Sequence, residues 1–333
     1  MLKATYLIIG ILFGSLLLSS MVSASGGEIG VCFYDGGGNP VCKGVNDPCC
    51  TGLTNFTMDI SLSNNSFYNQ TKPNLSIQLN TKIKQLSYID YTDRVPKKVV
   101  LCTDCQSYES KKIFKEGLQK LTFIGENWIG TSKYAWSTQE INITFVIDTK
   151  DPKISKILPA SNKFTNGSGF IVKYTEENLK NIVLFCEGKN SVKEDCPSGK
   201  NSICSLDLDL SEFEGRLITC NFTIEDFAGH KTSSRPIKVN VDTLPPEINF
   251  FNYSVKGKYL LLNLTLNETN LGELIYPHYS NSRLIWRDLC SNVKDGNCFK
   301  KLYFSKTGQY NLTIRALDKA GNSDEQSIVF DIV

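Results

Sequence analysis

Two stretches of this chain decide its fold: Cys220-Asn-Phe-Thr-Ile-Glu-Asp226-Phe-Ala-Gly229 and Tyr310-Asn-Leu-Thr-Ile-Arg-Ala-Leu-Asp318-Lys-Ala-Gly321. Each begins with alternating apolar and polar residues, several of them β-branched, which is the pattern of a half-buried β-strand. Each ends in Asp-x-Ala-Gly, where the Asp side chain can bond the backbone two residues on and glycine supplies a positive φ. Both stretches therefore predict a strand that runs into a tight turn.

The same arrangement occurs three times along the chain. An earlier copy runs from Phe114 to Asp148, and the three glycines at the turn, Gly130, Gly229 and Gly321, are separated by 99 and 92 residues. A second alternating strand, such as Ile237-Lys-Val-Asn-Val241, closes each copy. This period is the size of an immunoglobulin-type sandwich. The sequence therefore predicts an all-β fold of tandem immunoglobulin-like β-sandwiches, preceded by a small cystine-rich N-terminal segment.

The junctions between copies are also alike. Asp148-Thr-Lys-Asp-Pro152 and Asp242-Thr-Leu-Pro-Pro246 each lead from a last strand through proline into a new first strand. Proline fixes φ and lacks a backbone donor, so a strand ends there and the link is short and semi-rigid. We expect an extended rod. The predicted segments are a signal peptide at 1–24, a cystine-rich segment at 25–52, and immunoglobulin-like domains at 53–150, 151–244 and 245–333.

The N-terminus indicates export. Lys3 precedes the apolar run Tyr6–Leu18, and Val22 and Ala24 occupy the −3 and −1 positions of a cleavage site, which is the three-part pattern of a secretory signal peptide. The alternative is an uncleaved membrane anchor, for which the run is short. No later segment is apolar over a spanning length. We therefore expect a secreted or cell-surface protein that meets a membrane only through this segment, if it is uncleaved.

The chain has 12 cysteines and 2 histidines. In an exported chain an even number of cysteines indicates disulfides, and two isolated histidines do not provide zinc spacing. Cys102-Thr-Asp-Cys105 is the one C-x-x-C, with metal or redox chemistry as the alternative to a structural disulfide. The four cysteines of the segment 25–52 are expected to pair among themselves: Cys32, Cys42, Cys49 and Cys50.

The remaining cysteines suggest bridges that close small loops. This scheme pairs Cys102–Cys105, Cys186–Cys196 and Cys290–Cys298, and by elimination Cys204–Cys220. A Cys186–Cys220 bridge is the competing arrangement. Each bridge contributes about 2–4 kcal/mol, mostly by restricting the unfolded chain.

The chain has more than twice the number of N-x-[ST] sequons that its composition predicts by chance. The excess favours a glycoprotein. The alternative is that alternating Asn and Thr simply occupy the solvent faces of strands. The glycosylation candidates are Asn55, Asn64, Asn69, Asn74, Asn142, Asn166, Asn221, Asn252, Asn263, Asn267 and Asn311.

No catalytic motif is present: the chain lacks H-E-x-x-H, G-x-S-x-G, Walker and dinucleotide-binding patterns. The net charge is +2, with no basic stretch that would indicate nucleic-acid binding. We therefore expect no enzyme activity and no cofactor. Calcium is possible but not demanded: Asp207 and Asp209 are predicted to lie on one strand with both carboxylates on the same side, and Asp148 and Asp242 at the links could add oxygen ligands. The alternative is that Asp207 and Asp209 are solvated strand carboxylates.

Trp128 and Trp136 flank the predicted hairpin turn of the first domain, and Tyr134 lies between them. An exposed aromatic group there would suit stacking against a sugar. The alternative is that one or both tryptophans fill the sandwich core, where large aromatic side chains are common.

The turn Asp318-Lys-Ala-Gly-Asn322 and the link Asp242-Thr-Leu-Pro-Pro-Glu-Ile248 resemble those of bacterial and archaeal cell-surface Ig-like repeats, including the hyalin-repeat type. The resemblance covers roughly 53–333. It departs at His230, which takes the place of Asn322 in the second copy, and at Asn127, which replaces the turn Asp in the first.

The resemblance implies a structural or adhesive surface role, with envelope components, another protein or a glycan as partner. The alternative function is a secreted carbohydrate-binding array that uses the aromatic residues of the first domain. Together with the sequon excess, the repeat type favours an archaeal source.

Overall fold

The computed structural model describes residues 8–9, 20–25, 28–33, 56–128, 136–280, 283–290, 293 and 295–333. Within these ranges about 67% of the residues are in β-strands, and the helical content is one 3-10 turn at Ser211–Phe213. The predicted all-β class is confirmed. Residues 1–150 and 151–333 form two compact units. Much of the predicted signal peptide and cystine-rich segment, including Cys42, Cys49 and Cys50, lies outside the described residues, and both remain predictions.

The first unit begins with a small antiparallel sheet of three strands, followed by a larger sheet. The strand bounds are β1 Ile8–Ile9, β2 Ser20–Ser25, β3 Glu28–Phe33, β4 Met58–Ile60, β5 Ser66–Tyr68, β6 Asn74–Asp90, β7 Lys97–Lys111, β8 Gly117–Trp128 and β9 Trp136–Ile147.

Strands β4–β9 form the first sandwich. Its strands β6 and β7 are long, and the register of their pairing shifts between Gln78 and Ile83. Before the shift β6 pairs with β4, and after it β6 pairs with β8. The long strands β6 and β7 therefore contribute to both layers of the sandwich. Short β5 pairs in parallel with β9. The layers enclose one core, in which Phe145 and Ile77 are fully buried.

The second unit contains two further sandwiches. The strand bounds are β10 Lys153–Leu158, β11 Lys163–Thr165, β12 Phe170–Glu176, β13 Leu179–Cys186, β14 Lys189–Lys193, β15 Gly199–Leu206, β16 Leu217–Asp226, β17 Lys231–Ser233, β18 Ile237–Val241, β19 Glu247–Lys256, β20 Tyr259–Asn267, β21 Leu271–Ser280, β22 Arg283–Asp288, β23 Asn297–Tyr303, β24 Gly308–Asp318 and β25 Ser323–Ile332.

The second sandwich packs the sheet β10-β12-β15 on the sheet β11-β18-β16-β13-β14, in which β17 also pairs with β16. The third packs β19-β20-β23 on β22-β21-β24-β25. Each sandwich has its own hydrophobic core, one around Tyr174 and Phe222 and one around Leu262 and Ile314. Alternating strands such as β20 explain this, because every second side chain faces the other sheet and leaves the water.

The disulfides correct part of the sequence prediction. Cys102–Cys105 and Cys290–Cys298 form as expected. The predicted Cys186–Cys196 and Cys204–Cys220 pairs are wrong: the structure joins Cys186 to Cys220 and Cys196 to Cys204. Cys186 and Cys220 are direct register partners on β13 and β16, with Cα atoms 4.2 Å apart, so strand pairing itself brings them together.

Candidate functional site

The turn between β24 and β25 is organised by the carboxylate of Asp318. Its Oδ1 accepts hydrogen bonds from the backbone N–H groups of Ala320 at 2.8 Å and Asn322 at 2.9 Å. Gly321 adopts φ +96°, a conformation that a residue with a side chain rarely takes. In this turn the Asp therefore bonds the backbone and the Gly supplies the positive φ, as the sequence predicts. The turn places the Asn322 side chain at the end of the third sandwich.

The Asn322 side chain is a hydrogen-bonding hub between the second and third sandwiches. Its Nδ2 lies 2.8 Å from the carbonyl oxygen of Asp242, 3.3 Å from that of Leu244 and 2.7 Å from Asp318 Oδ2. Its Oδ1 accepts a hydrogen bond of 3.0 Å from Asn166 Nδ2, in the loop after β11. One amide thus joins its own turn, the link and a loop of the preceding sandwich.

Asn270 forms a second connection from the loop between β20 and β21. Its Nδ2 donates to Asp242 Oδ2 at 3.1 Å, and its carbonyl oxygen accepts the N–H of Lys319 at 2.9 Å. The backbone N–H of Asn270 also donates to the Glu268 carboxylate. The loop, the turn and the last residue before the link are therefore bound to one another.

The start of the link is fixed to the second sandwich by Thr243. Its backbone N–H and its hydroxyl both donate to Glu214 Oε2, each at 2.6 Å. In the first unit, Thr149 makes the equivalent bonds to Glu116 at 3.3 and 2.9 Å. The Asp-Thr dipeptide at the start of each link is thus joined to the Glu-Gly dipeptide of the same sandwich by hydrogen bonds from the Thr to the Glu.

Carboxylates surround the link. The carboxylates of Glu214, Asp242, Glu268 and Asp324 line a cleft of about 640 Å³ together with Pro245, Pro246 and Asn270. Burial raises the pKa of the Asp242 carboxyl, and the charges of Asp318 and Glu214 raise it further, against a hydrogen bond from Asn270 that lowers it. Burial also raises the pKa of Glu268, aided by the charges of Asp242 and Asp318. The junction therefore holds several like-charged carboxylates close together, partly removed from water.

These carboxylates accept hydrogen bonds from the chain itself. Glu214 accepts from Thr243, Asp242 and Glu268 accept from Asn270, and Asp324 accepts the N–H of Ile248 at 3.0 Å. Calcium binding at Asp242 remains untested. In the first unit, Asp148 accepts the N–H of Lys150 at 3.2 Å.

The predicted Asp207–Asp209 strand pair is wrong. β15 ends at Leu206, and each carboxylate then binds a nearby turn: Asp207 Oδ1 accepts the N–H of Gly169 at 2.7 Å, and Asp209 Oδ1 accepts that of Ser211 at 3.0 Å. Bonding by a short acidic side chain to the backbone favours turns over strand continuation.

The predicted aromatic platform is only partly described. Trp128 and Trp136 are direct register partners at the end of the β8–β9 pair, and Tyr134 lies outside the described residues. Of the eleven sequons, Asn55 also lies outside them. Most of the others are exposed, while Asn166 and Asn221 are half-buried.

Sequence reasoning missed an exposed aromatic surface on the third sandwich. Tyr259 and Tyr303 place their ring centres 5.4 Å apart, and Lys301 Nζ lies 3.8 Å from the centre of the Tyr259 ring. Phe299 is exposed on the same strand as Tyr303. The alternation in Asn297-Cys-Phe-Lys-Lys-Leu-Tyr303 was the available signal, because buried Cys298 and Leu302 put the odd-numbered residues on the opposite face.

No family model and no curated protein matches the chain. Among solved structures, it is similar to the FN1–FN3 domains of chicken CNTN1, with a TM-score of 0.38 and 10% identity, covering 82% of this chain and 97% of that one. It is also similar to a tetra-tandem repeat in the extending region of a large adhesion protein, with a TM-score of 0.30 and 15% identity, covering 83% and 74%. Similarities of this size assign neither a family nor a partner.

Within the described residues, no helical segment has the length and apolar character needed to cross a bilayer.

Proposed function

We propose that this chain is an exported, non-catalytic structural or adhesion protein of stacked immunoglobulin-like domains. In this proposal, the junction between the second and third sandwiches sets their spacing and orientation. The observation that carries it is the Asn322 amide, which bonds the link carbonyls of Asp242 and Leu244 and the side chain of Asn166.

Physical chemistry supports a stiff junction. Pro245 and Pro246 restrict the link, and Thr243 fixes its start. Hydrogen bonds from three separate segments reduce the backbone freedom that a flexible linker keeps. A stiff array suits a protein that holds a partner at a set distance from a surface.

Two further features support the surface role. Disulfides in every sandwich suit an oxidising compartment outside the cytoplasm. The turn and link motifs resemble those of bacterial and archaeal surface repeats. The proposed partners are envelope components, a protein or a glycan.

Rotational diffusion of the secreted full-length chain, measured by 15N relaxation, tests the junction. In the wild type we expect the second and third sandwiches to share one correlation time. Asn322→Ala should separate the two correlation times, and the neighbouring exposed Ser323→Ala should leave them equal. Independent tumbling of the two sandwiches in the wild type would contradict the proposal.

A carbohydrate-binding array is the second candidate function. The described surface that favours it is the Tyr259–Tyr303 pair with Lys301, because aromatic faces bind the apolar faces of sugars. Binding to a glycan array should weaken at least tenfold in Tyr303→Ala and persist in Tyr91→Ala, an exposed tyrosine of the first sandwich. Absence of binding to any glycan would remove this candidate, and Trp136→Ala tests the platform in the first domain.

A further inference from the structure

Two exposed phenylalanines lie on solvent-facing strand faces, one in the second sandwich and one in the third. Phe185 on β13 is 44% exposed, and Phe299 on β23 is 69% exposed. Each is the direct register partner of a sequon asparagine: Phe185 pairs with Asn221 on β16, and Phe299 pairs with Asn263 on β20. Directly opposite residues have Cβ atoms about 4.5–5.5 Å apart and share a face of the sheet.

The two pairs arise independently. The first lies in the larger sheet of the second sandwich, and the other lies in the three-stranded sheet of the third. Both sequons have a threonine at the third position, Thr223 and Thr265. The same juxtaposition therefore occurs on two different strand pairs that share no residue.

The side-chain nitrogens of these asparagines are also available. Among the described residues, no hydrogen bond involves the side-chain amide of Asn221 or Asn263. In contrast, Asn74 Nδ2 donates to Glu109 at 2.9 Å, and Asn166 Nδ2 is committed to Asn322 at the junction. Attachment of a sugar at Asn221 or Asn263 would break no bond of the fold.

We propose that Asn221 and Asn263 are N-glycosylation sites whose first sugar packs on the neighbouring phenylalanine, Phe185 or Phe299. The donor is a lipid-pyrophosphate-linked saccharide. A bond forms between Asn Nδ2 and the anomeric carbon while the bond from that carbon to the phosphate oxygen breaks. Nδ2 loses one proton, and the lipid diphosphate leaves.

Burial of apolar surface explains the pairing. A pyranose has a face of C–H groups, and an exposed phenyl ring one strand away offers it a flat apolar surface. The sugar removes part of that ring from water and is itself held in place.

Asn252 provides a matched control. It is also a sequon, it is the register partner of Asn263 on β19, and it lies on the same face of the sheet. Phe299 neighbours Asn263 and lies one strand farther from Asn252. A sugar on Asn252 is therefore not opposite the ring.

The test uses the full chain secreted from a host that N-glycosylates sequons, with site-resolved mass spectrometry of intact glycopeptides. Both Asn221 and Asn263 should carry glycans. A double-mutant cycle then combines Asn263→Gln with Phe299→Val, which creates no new sequon after Asn297, and compares thermal unfolding of the third sandwich. Phe299→Val should lower the Tm by about 2–4 °C when Asn263 is glycosylated and should have little effect in the Asn263→Gln background. The effect should persist in Asn252→Gln.

The same cycle with Asn221→Gln and Phe185→Thr tests the second pair. An unmodified Asn221 or Asn263 overturns the proposal for that site. Equal Tm losses from the phenylalanine substitution with and without the glycan overturn the packing. These readouts use no junction residue, so they are separate from the test of the proposed function.

Discussion

The turns 226–230 and 318–322 share their hydrogen bonds to the first Asp and their Gly, and they differ in the second residue and in the fifth. In both, the N–H of the fifth residue donates to Oδ1 of the first-position Asp, at 2.8 Å in His230 and 2.9 Å in Asn322. In both, a side-chain nitrogen of the fifth residue lies beside the second oxygen of that Asp, at 2.8 Å for His230 Nδ1 and 2.7 Å for Asn322 Nδ2. Asn322 also reaches the carbonyls of Asp242 and Leu244.

This comparison separates two roles within one motif. The Asp and the Gly build the turn, since they satisfy the backbone and permit a positive φ in both copies. The fifth residue determines what the turn binds outside itself. An amide presents a donor and an acceptor in one plane, which suits contact with carbonyls on one side and Asn166 on the other.

Removing the turn carboxylate should have the largest effect in either copy. Asp226 and Asp318 are buried, so Asp→Ala at either position leaves backbone N–H groups without an acceptor. We expect Asp318→Ala and Asp226→Ala each to lower the free energy of unfolding by about 2–4 kcal/mol in urea denaturation. Asp→Asn should cost less because it keeps an acceptor. A loss in only one copy would show that the turns are not equivalent.

Transplanting the fifth residue should separate the turn from the junction. Asn322→His keeps a nitrogen that can bond Asp318, as His230 does for Asp226, but lacks the amide that bonds the link. We expect a loss of about 1–2 kcal/mol, observed as faster hydrogen exchange at the junction and not throughout β24 and β25. Unchanged exchange at Thr243 and Leu244 would show that the amide is not what holds the link.

Asn166→Ala should have a smaller effect of the same kind. It removes the donor to Asn322 Oδ1, and one exposed or half-buried hydrogen bond contributes about 0.5–1.5 kcal/mol. Ser168→Ala is the matched control, because it also destroys the Asn166 sequon but leaves the asparagine amide in place. Equal destabilisation by both variants would assign the effect to the loop, where Ser168 bonds Asn166 Oδ1.

Local chemistry was readable from the sequence, and distant contacts were not. The Asp-x-Ala-Gly turns and the alternating strands follow from residues within a few positions of one another. Asn322, however, bonds carbonyls 78 and 80 residues earlier, and nothing in its local sequence specifies them. The departure at His230 was visible as a sequence difference, but its consequence required the structure.

The cysteines show the same limit. The Cys186–Cys220 pair follows from the register of β13 against β16, which depends on the topology of the sheet. A signal for the other pair was present: Cys196–Cys204 and Cys290–Cys298 have the same separation of 8 residues. In the first sandwich, the bridge Cys102–Cys105 lies within the single long strand β7.

The smallest effect we predict concerns pH at the junction. The pKa of Asp242 is raised in the folded protein by burial, then by the charges of Asp318 and Glu214, so the unfolded chain releases this proton at lower pH than the folded one. Between the two pKa values the folded state binds more protons, and stability falls as pH rises through that window, then levels off. Asp242→Asn should flatten this fall, which begins near the ordinary Asp pKa of about 3.9 and lies above it. The neutral amide also removes one charge that raises the pKa of Glu268, so the contribution of Glu268 to the pH dependence should shrink as well.

Urea midpoints of the full chain across this pH range give the measurement, with the exposed Asp331→Asn as control. If Asp331→Asn flattened the curve as much as Asp242→Asn, the pH dependence would belong to overall charge and not to the junction.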